Sequence, residues 1–211
     1  MPTIKTLIFD IGGVLLNIYP EKCFNLWGDV TGWHINQLQE EIFWDIYYQY
    51  EIGELDDFNF YSAINNLFPE DKKISEGDFW HGWKLLLGNQ TEVVDLLTNL
   101  HRTIPVWLLS NTNPWHVGYL KSCSDYRFYK FTTGAIYSHD VGYRKPDENI
   151  YKLTLDKIKS SGEKVLFIDD NQENIEGAKN SGMNAVIYEG LEGLIETLED
   201  FEISIAHSKI I

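Results

Sequence analysis

The amino-acid sequence predicts a doubly wound α/β fold, a parallel Rossmann-like sheet with a small helical domain inserted after its first strand. Three observations carry that prediction. Four short apolar runs, Leu7-Ile8-Phe9, Val106-Trp107-Leu108-Leu109, Val165-Leu166-Phe167-Ile168 and Ala185-Val186-Ile187-Tyr188, have the length and composition of buried parallel strands. Stretches of helical period separate them, and alternating strands and helices imply a parallel sheet covered on both faces. Residues 17–90 break the alternation: they hold no comparable strand run, while Leu38 to Tyr50 and Phe58 to Phe68 recur at helical spacing.

Each element has its local reason. The first run ends at Asp10 and the turn-forming pair Gly12-Gly13. The insertion follows, giving a core of residues 1–16 and 91–211 and a helical domain of residues 17–90. Val93, Val94, Leu96, Leu97 and Leu100 form the apolar stripe of the next helix, and the second strand run ends at Ser110-Asn111. Thr133 to Ser138 is a candidate fifth strand. Pro146, followed by Asp147 and Glu148, suits a first helical position for the stripe Ile150, Leu153 and Ile158. Gly162 and Gly182 suit C-terminal caps. The tail from Ile203 to Ile211 ends apolar and suits packing on the body or on a partner.

Of 211 residues, 17 are basic and 32 acidic, for a net charge of −15. So few cations argue against a nucleic-acid partner, and the acidity against an anionic membrane surface. Residues 17–90 carry 13 acidic and 4 basic side chains, and residues 19–83 hold 16 of the 30 aromatic ones. Bulky rings fill the core of a small helical layer; Trp44 and Tyr47 are also candidates to line a pocket facing the sheet. Cys23 and Cys123, a hundred residues apart and without metal-type spacing, read as buried thiols of a reduced intracellular chain without a disulfide framework. Asp10 interrupts the N-terminal apolar stretch, and no run approaches the ~18 residues of a membrane span. The expectation is a cytoplasmic protein without an obligate protein partner.

Three strand runs end in polar residues: Asp10, then Ser110 and Asn111, then Asp169 and Asp170. The carboxyl ends of parallel strands form the binding crevice of such a sheet, so these residues converge. Singly, each also suits a turn, a helix cap or a helix dipole. Together, the carboxylates repel one another unless a cation neutralises them, and all-oxygen ligation points to Mg²⁺. The Gly12-Gly13 turn brings backbone close to a ligand, and Lys145 offers positive charge to a phosphoryl group.

The pattern resembles the haloacid dehalogenase superfamily. Phe9-Asp10-Ile11-Gly12-Gly13-Val14-Leu15, Leu108-Leu109-Ser110-Asn111, Lys145-Pro146 and Phe167-Ile168-Asp169-Asp170 through Asn174 match its four motifs in order. Longer stretches, including Gly142-Tyr143-Arg144-Lys145-Pro146, resemble the helical-cap subgroup that contains bacterial α-glucose-1-phosphate phosphatase. The resemblance implies an Mg²⁺-dependent phosphatase acting on a small phosphorylated metabolite through an aspartyl phosphate. Asp10 is then the nucleophile, and Mg²⁺ is held by Asp10, the Gly12 carbonyl and Asp170, with Asp169 as a further ligand or a supporting partner. Ser110, Asn111 and Lys145 bind the phosphoryl oxygens.

One position departs from the family pattern. Most of its phosphatases carry a second aspartate, the general acid and base, where this chain has Gly12. His116 and His139, near the motif loops, are candidate substitutes. Carbon–halogen cleavage is an alternative for the same nucleophile, though it has no use for the Asp169-Asp170 pair. A weakly catalytic ligand-binding protein is another. Glu51, Gly53 and Glu54 resemble a cap turn that faces the site, and equally suit a solvated acidic turn.

Overall fold

The computed structural model describes residues 3–33 and 41–205. The chain runs through β1 (Thr6–Phe9), β2 (Leu16–Ile18), α1 (Pro20–Thr31), α2 (Glu41–Glu51), α3 (Asp57–Leu67), α4 (Glu76–Leu85) and β3 (Leu87–Gln90). It continues through α5 (Val93–Leu100), β4 (Val106–Ser110), α6 (Pro114–Ser122), β5 (Gly134–Tyr137), α7 (Ser138–Val141) and α8 (Glu148–Ile158). It then forms β6 (Val165–Asp169), α9 (Gln172–Asn180), β7 (Asn184–Ile187) and α10 (Leu191–Asp200).

Five strands form one parallel sheet in the order β5-β4-β1-β6-β7. All four predicted runs are in it, together with the candidate fifth. Ile8 sits between Trp107 and Phe167, and Phe9 between Leu108 and Ile168. Strand order reverses on either side of β1, which makes its carboxyl end the switch point where a crevice opens. Side chains alternate across the sheet. Leu7, Phe9, Leu108, Leu166 and Ile168 pack with Val94 and Leu97 of α5 and Leu194 and Leu198 of α10. Ile8, Leu109, Val165 and Phe167 pack on the opposite face with Ile150 and Tyr151 of α8 and Ile175 and Ala178 of α9.

Several local expectations are corrected. Residues 17–90 are not strand-free, because β2 and β3 pair antiparallel where the chain enters and leaves the helical segment. These strands are too short and too polar to give an apolar signal. Pro146 precedes α8 instead of opening it; Asp147 caps that helix by accepting from the Asn149 N–H at 2.8 Å. The same helix ends at Lys159 in the left-handed conformation, whereas Gly162 is needed because a Cβ there would lie 2.3 Å from the Gly182 carbonyl oxygen. Gly182 itself has φ +84 just past α9, as expected of a helix end. Ile203 of the tail is buried against the sheet's core, and residues 206–211 lie outside the described residues. Both cysteines are free thiols. Among the described residues, no helix is long and apolar enough to cross a membrane.

The helical segment has an aromatic core of its own, built from Phe24, Trp27, Phe43, Tyr50, Phe60, Phe79 and Trp83 with neighbours. Trp27 stacks on Phe79 at 4.5 Å and donates its indole N–H to the Phe79 carbonyl at 3.1 Å. Trp44 and Tyr47 pack at the edge of this cluster, which contains the plainer of their two expected roles. Gly82 of α4 lets that helix lie directly on Trp27, since a Cβ at position 82 would come 2.5 Å from the indole nitrogen.

A histidine joins this layer to the sheet domain. His116, on α6, stacks on Trp83 at 4.9 Å, and its Nε2 lies 3.0 Å from the Trp83 carbonyl oxygen, which can only accept. The proton is therefore on Nε2. Nδ1 accepts from the Asn113 amide at 3.0 Å, while the Asn113 oxygen accepts the His116 backbone N–H. Burial pushes the imidazole down to about 4, so it is neutral near pH 7.

Two outcomes follow from this packing. Gly82→Ala gains helix propensity but overpacks Trp27, and the balance is a loss of about 1–3 kcal/mol, read as a lower Tm. An unchanged or raised Tm would contradict the close approach. His116 binds a proton more readily when unfolded, so the stability it contributes is complete above about pH 6.5 and is lost as pH falls towards 4. His116→Gln should flatten that acid limb in thermal melts relative to wild type; parallel limbs would contradict a buried neutral imidazole.

Candidate active site

The carboxyl end of β1 delivers Asp10, whose backbone N–H is held by the Ile168 carbonyl at 2.9 Å. Its Oδ1 accepts the Ile11 N–H at 2.7 Å and lies 3.0 Å from the Lys145 ammonium. The same ammonium donates to Asp169 Oδ2 at 2.5 Å and lies over the Phe167 ring. Lys145 is only 1% exposed and Asp169 fully buried, so one buried cation bridges two carboxylates at adjacent strand ends.

Two amides hold this bridge in place. The Asn111 oxygen accepts the Lys145 backbone N–H at 2.8 Å, and its amide donates to the Lys145 carbonyl at 2.9 Å. Its carboxamide thus spends its oxygen and one N–H on the Lys145 main chain, and its second N–H has no such partner among the described residues. Asn174, on the first turn of α9, lies with its amide nitrogen 2.9 and 3.1 Å from the two oxygens of Asp169, and the Asn171 N–H donates to Oδ1 at 2.8 Å. With Lys145, three donors engage Asp169. Ser110 is buried, with only a 3.4 Å contact from its hydroxyl to the Asn111 carbonyl among the described residues.

Asp170 faces outward and is exposed. It approaches the Gly12-Gly13 turn so closely that a Cβ on Gly13, at φ +76, would fall within the Asp170 carboxylate. Gly13 is thus required by both backbone and space. Gly12 is not: a Cβ there would make ordinary contact with Ile18 at 3.6 Å. The absence of a side chain at position 12 is therefore not forced by the fold.

Oxygens of Asp10, Asp169 and Asp170 lie within 4.8 Å of one another. Burial raises the Asp10 carboxyl to about 7, with Asp169 adding to the rise and Lys145 opposing it. Burial, then Asp169, also raises Asp170. Burial alone would pull Lys145 down, but Asp10 and Asp169 more than offset it and raise it. Three carboxylates against one ammonium leave an excess of negative charge suited to a divalent cation, and the donors are all oxygen. Asp169 already faces three donors, whereas Asp10 and Asp170 have more acceptor capacity left for it.

Both candidate histidines are engaged by other groups. His116 is locked between Asn113 and Trp83 and held low by burial. His139 stacks on Tyr137 with Nδ1 3.0 Å from the Thr112 carbonyl, and burial lowers it too. Of the turn at residues 51–54, Glu54 is exposed, whereas Glu51 is buried and paired with Arg144. Asn113 and Ser138, which bonds both the N–H and the C=O of Thr112, were not singled out from sequence. An asparagine before the α6 proline was the one local signal for the former.

A family model described as haloacid dehalogenase-like hydrolase matches residues 4–182. D-ribitol-5-phosphate phosphatase from Bacteroides thetaiotaomicron is 25% identical over 197 residues, covering 85% of this chain and 89% of that protein. Drimenol cyclase from Aspergillus calidoustus is 26% identical over 193 residues, and the match covers 88% of this chain but only 34% of that longer protein. A solved structure of a HAD-family enzyme from B. thetaiotaomicron, in complex with magnesium and inorganic phosphate, superposes with TM-score 0.79 at 26% identity, covering 90% of this chain and 98% of that one. Motifs, topology and these matches agree: the chain belongs to the haloacid dehalogenase-like hydrolase family.

Proposed function

We propose that this protein is an Mg²⁺-dependent phosphatase that hydrolyses a small phosphorylated metabolite, a sugar or polyol phosphate, through a phosphorylated Asp10. The observation that carries the reading is the Asp10–Lys145–Asp169 bridge at the switch point of the sheet. Its similarity to a D-ribitol-5-phosphate phosphatase and to a magnesium- and phosphate-bound enzyme supports the substrate class and the ion.

Asp10 attacks phosphorus: an oxygen–phosphorus bond forms at its carboxylate, and the bond to the leaving oxygen breaks. Water then attacks the phosphorus of the aspartyl phosphate, releasing inorganic phosphate and restoring Asp10. Lys145 favours the ionised nucleophile against burial and offers its charge to the phosphoryl oxygens, with the Ser110 hydroxyl as a neutral donor. Asn111 fixes the Lys145 backbone, and Asp169 fixes the ammonium. Asp10, Asp170 and the Gly12 carbonyl would hold Mg²⁺, which when bound neutralises charge at the phosphoryl group. Residues 17–90 act as a cap that selects the leaving group. Without an acid at position 12, a contribution typically worth about 10² to 10⁴ in rate is missing, so leaving groups that need little protonation suffer least. A sugar anomeric oxygen is one.

Purified protein with Mg²⁺ should release phosphate from a panel of small sugar and polyol phosphates, and Asp10→Asn should abolish that release. Equal rates in the two proteins would sink the mechanism. Protons and the cation compete for Asp10, whose carboxyl is raised to about 7. Mg²⁺ should therefore raise Tm more at about pH 8 than at about pH 5. A pH-independent shift would contradict Asp10 as a ligand.

A further inference from the structure

An ion pair between a buried carboxylate and a half-buried guanidinium ties the helical segment to the loop that carries Lys145. Glu51 ends α2, and its side chain is 3% exposed. Its Oε2 accepts from Arg144 Nε at 2.9 Å, and its Oε1 accepts the Tyr47 hydroxyl at 2.7 Å. The Arg144 guanidinium also lies 4.2 Å over the Tyr48 ring, so Tyr48 and Glu51 of one helix hold it, and Tyr47 holds Glu51. The turn that follows closes on the same region: Gly53, at φ +78, brings its backbone so near the His139 carbonyl that a Cβ would lie 2.3 Å from the oxygen.

Arg144 directly precedes Lys145. The Lys145 backbone N–H is bonded to Asn111, and its ammonium lies 3.0 Å from Asp10. The route from α2 to the nucleophile is therefore Glu51, Arg144, Lys145, Asp10, with one covalent link and two ionic ones. A carboxylate as buried as Glu51 is costly unless paired, so its pairing geometry is strongly specified. On its other side Arg144 borders a cleft of about 400 Å³ shared with Asp45, Tyr48, Tyr143 and Asp147. Because Asp45 and Tyr48 belong to α2, withdrawal of that helix would open the cleft, leave Arg144 to solvent, and free the segment whose next residue is Lys145.

We propose that Glu51 and Arg144 are positioning residues. Their pair seats the helical layer on the 142–147 loop and sets Lys145 against Asp10, so that docking of the layer and alignment of the phosphoryl site are one event. The kinetic part of this proposal rests on the phosphatase reading; the coupling of the two segments does not.

The test compares wild type, Glu51→Gln, Arg144→Gln and the double variant. The readouts are turnover of p-nitrophenyl phosphate with Mg²⁺, Tm, and hydrogen exchange of residues 47–54 and 142–147. Each single variant should lower kcat by about tenfold to a hundredfold while leaving KM within about threefold, as expected when a reacting group is misaligned. The double variant should be no slower than the slower single one, because both remove the same device. Exchange should rise in both segments together whichever residue is changed. A fall in Tm with kcat within about twofold of wild type would make the pair purely structural and overturn the proposal, as would single effects that multiply in the double variant. If wild type releases no phosphate from any substrate, the phosphatase reading fails by itself and exchange decides. A joint rise in both segments then upholds the coupling, and a rise confined to the mutated segment refutes it.

Discussion

A single buried ammonium organises the candidate site. Lys145 lies between Asp10 and Asp169, and both carboxylates reach it only because β1 and β6 are adjacent in register and end together. A lysine this deep is tolerable because two anions face it; two anions this close are tolerable because the lysine separates them. The arrangement is still short of positive charge once Asp170 is counted. Burial, with Asp169, raises Asp10 to about 7 against the pull of Lys145, and the shortfall is why a divalent cation suits the cluster. Asn111, Asn171 and Asn174 contribute without charge, by fixing where the charged atoms lie.

The net charge of −15 fits this picture better than it first suggests. Much of the acidity lies in the helical segment, with 13 acidic against 4 basic residues at 17–90. Attraction for a phosphorylated ligand would be local, from Lys145, backbone amides and a cation, within a surface that repels large polyanions. The aromatic core of the helical segment supplies the rigidity that an acidic layer of short helices needs, and His116 and Glu51 are two of the points where that layer is fastened to the sheet domain.

The parts legible in sequence are those with a strong local signal. Buried parallel strands read as apolar runs, and a polar residue directly after such a run marks the functional edge, which identified Asp10, Ser110, Asn111, Asp169 and Asp170. What escaped depends on distance in the chain or on geometry without a hydrophobic trace. The β2–β3 ribbon is too short and polar to show. Pro146 has the composition of a helix start, but Asp147 takes the cap. Gly162 signals a turn, yet its reason is the approach of Gly182 from another element. The Glu51–Arg144 pair joins residues 93 positions apart, and nothing around Glu51 distinguishes a buried carboxylate from a solvated one. The role of Asn111 as a clamp on Lys145 also required the two loops to be seen together.

The central claim is that Asp10 itself becomes phosphorylated within this bridge. Protein mixed with excess substrate and Mg²⁺, quenched in acid during turnover and digested, can be analysed by peptide mass. The account predicts an acid-stable, base-labile phosphoryl group on the peptide carrying Asp10, absent in Asp10→Asn. Steady turnover with no phosphoryl group on that peptide, or with one on another residue, would contradict it.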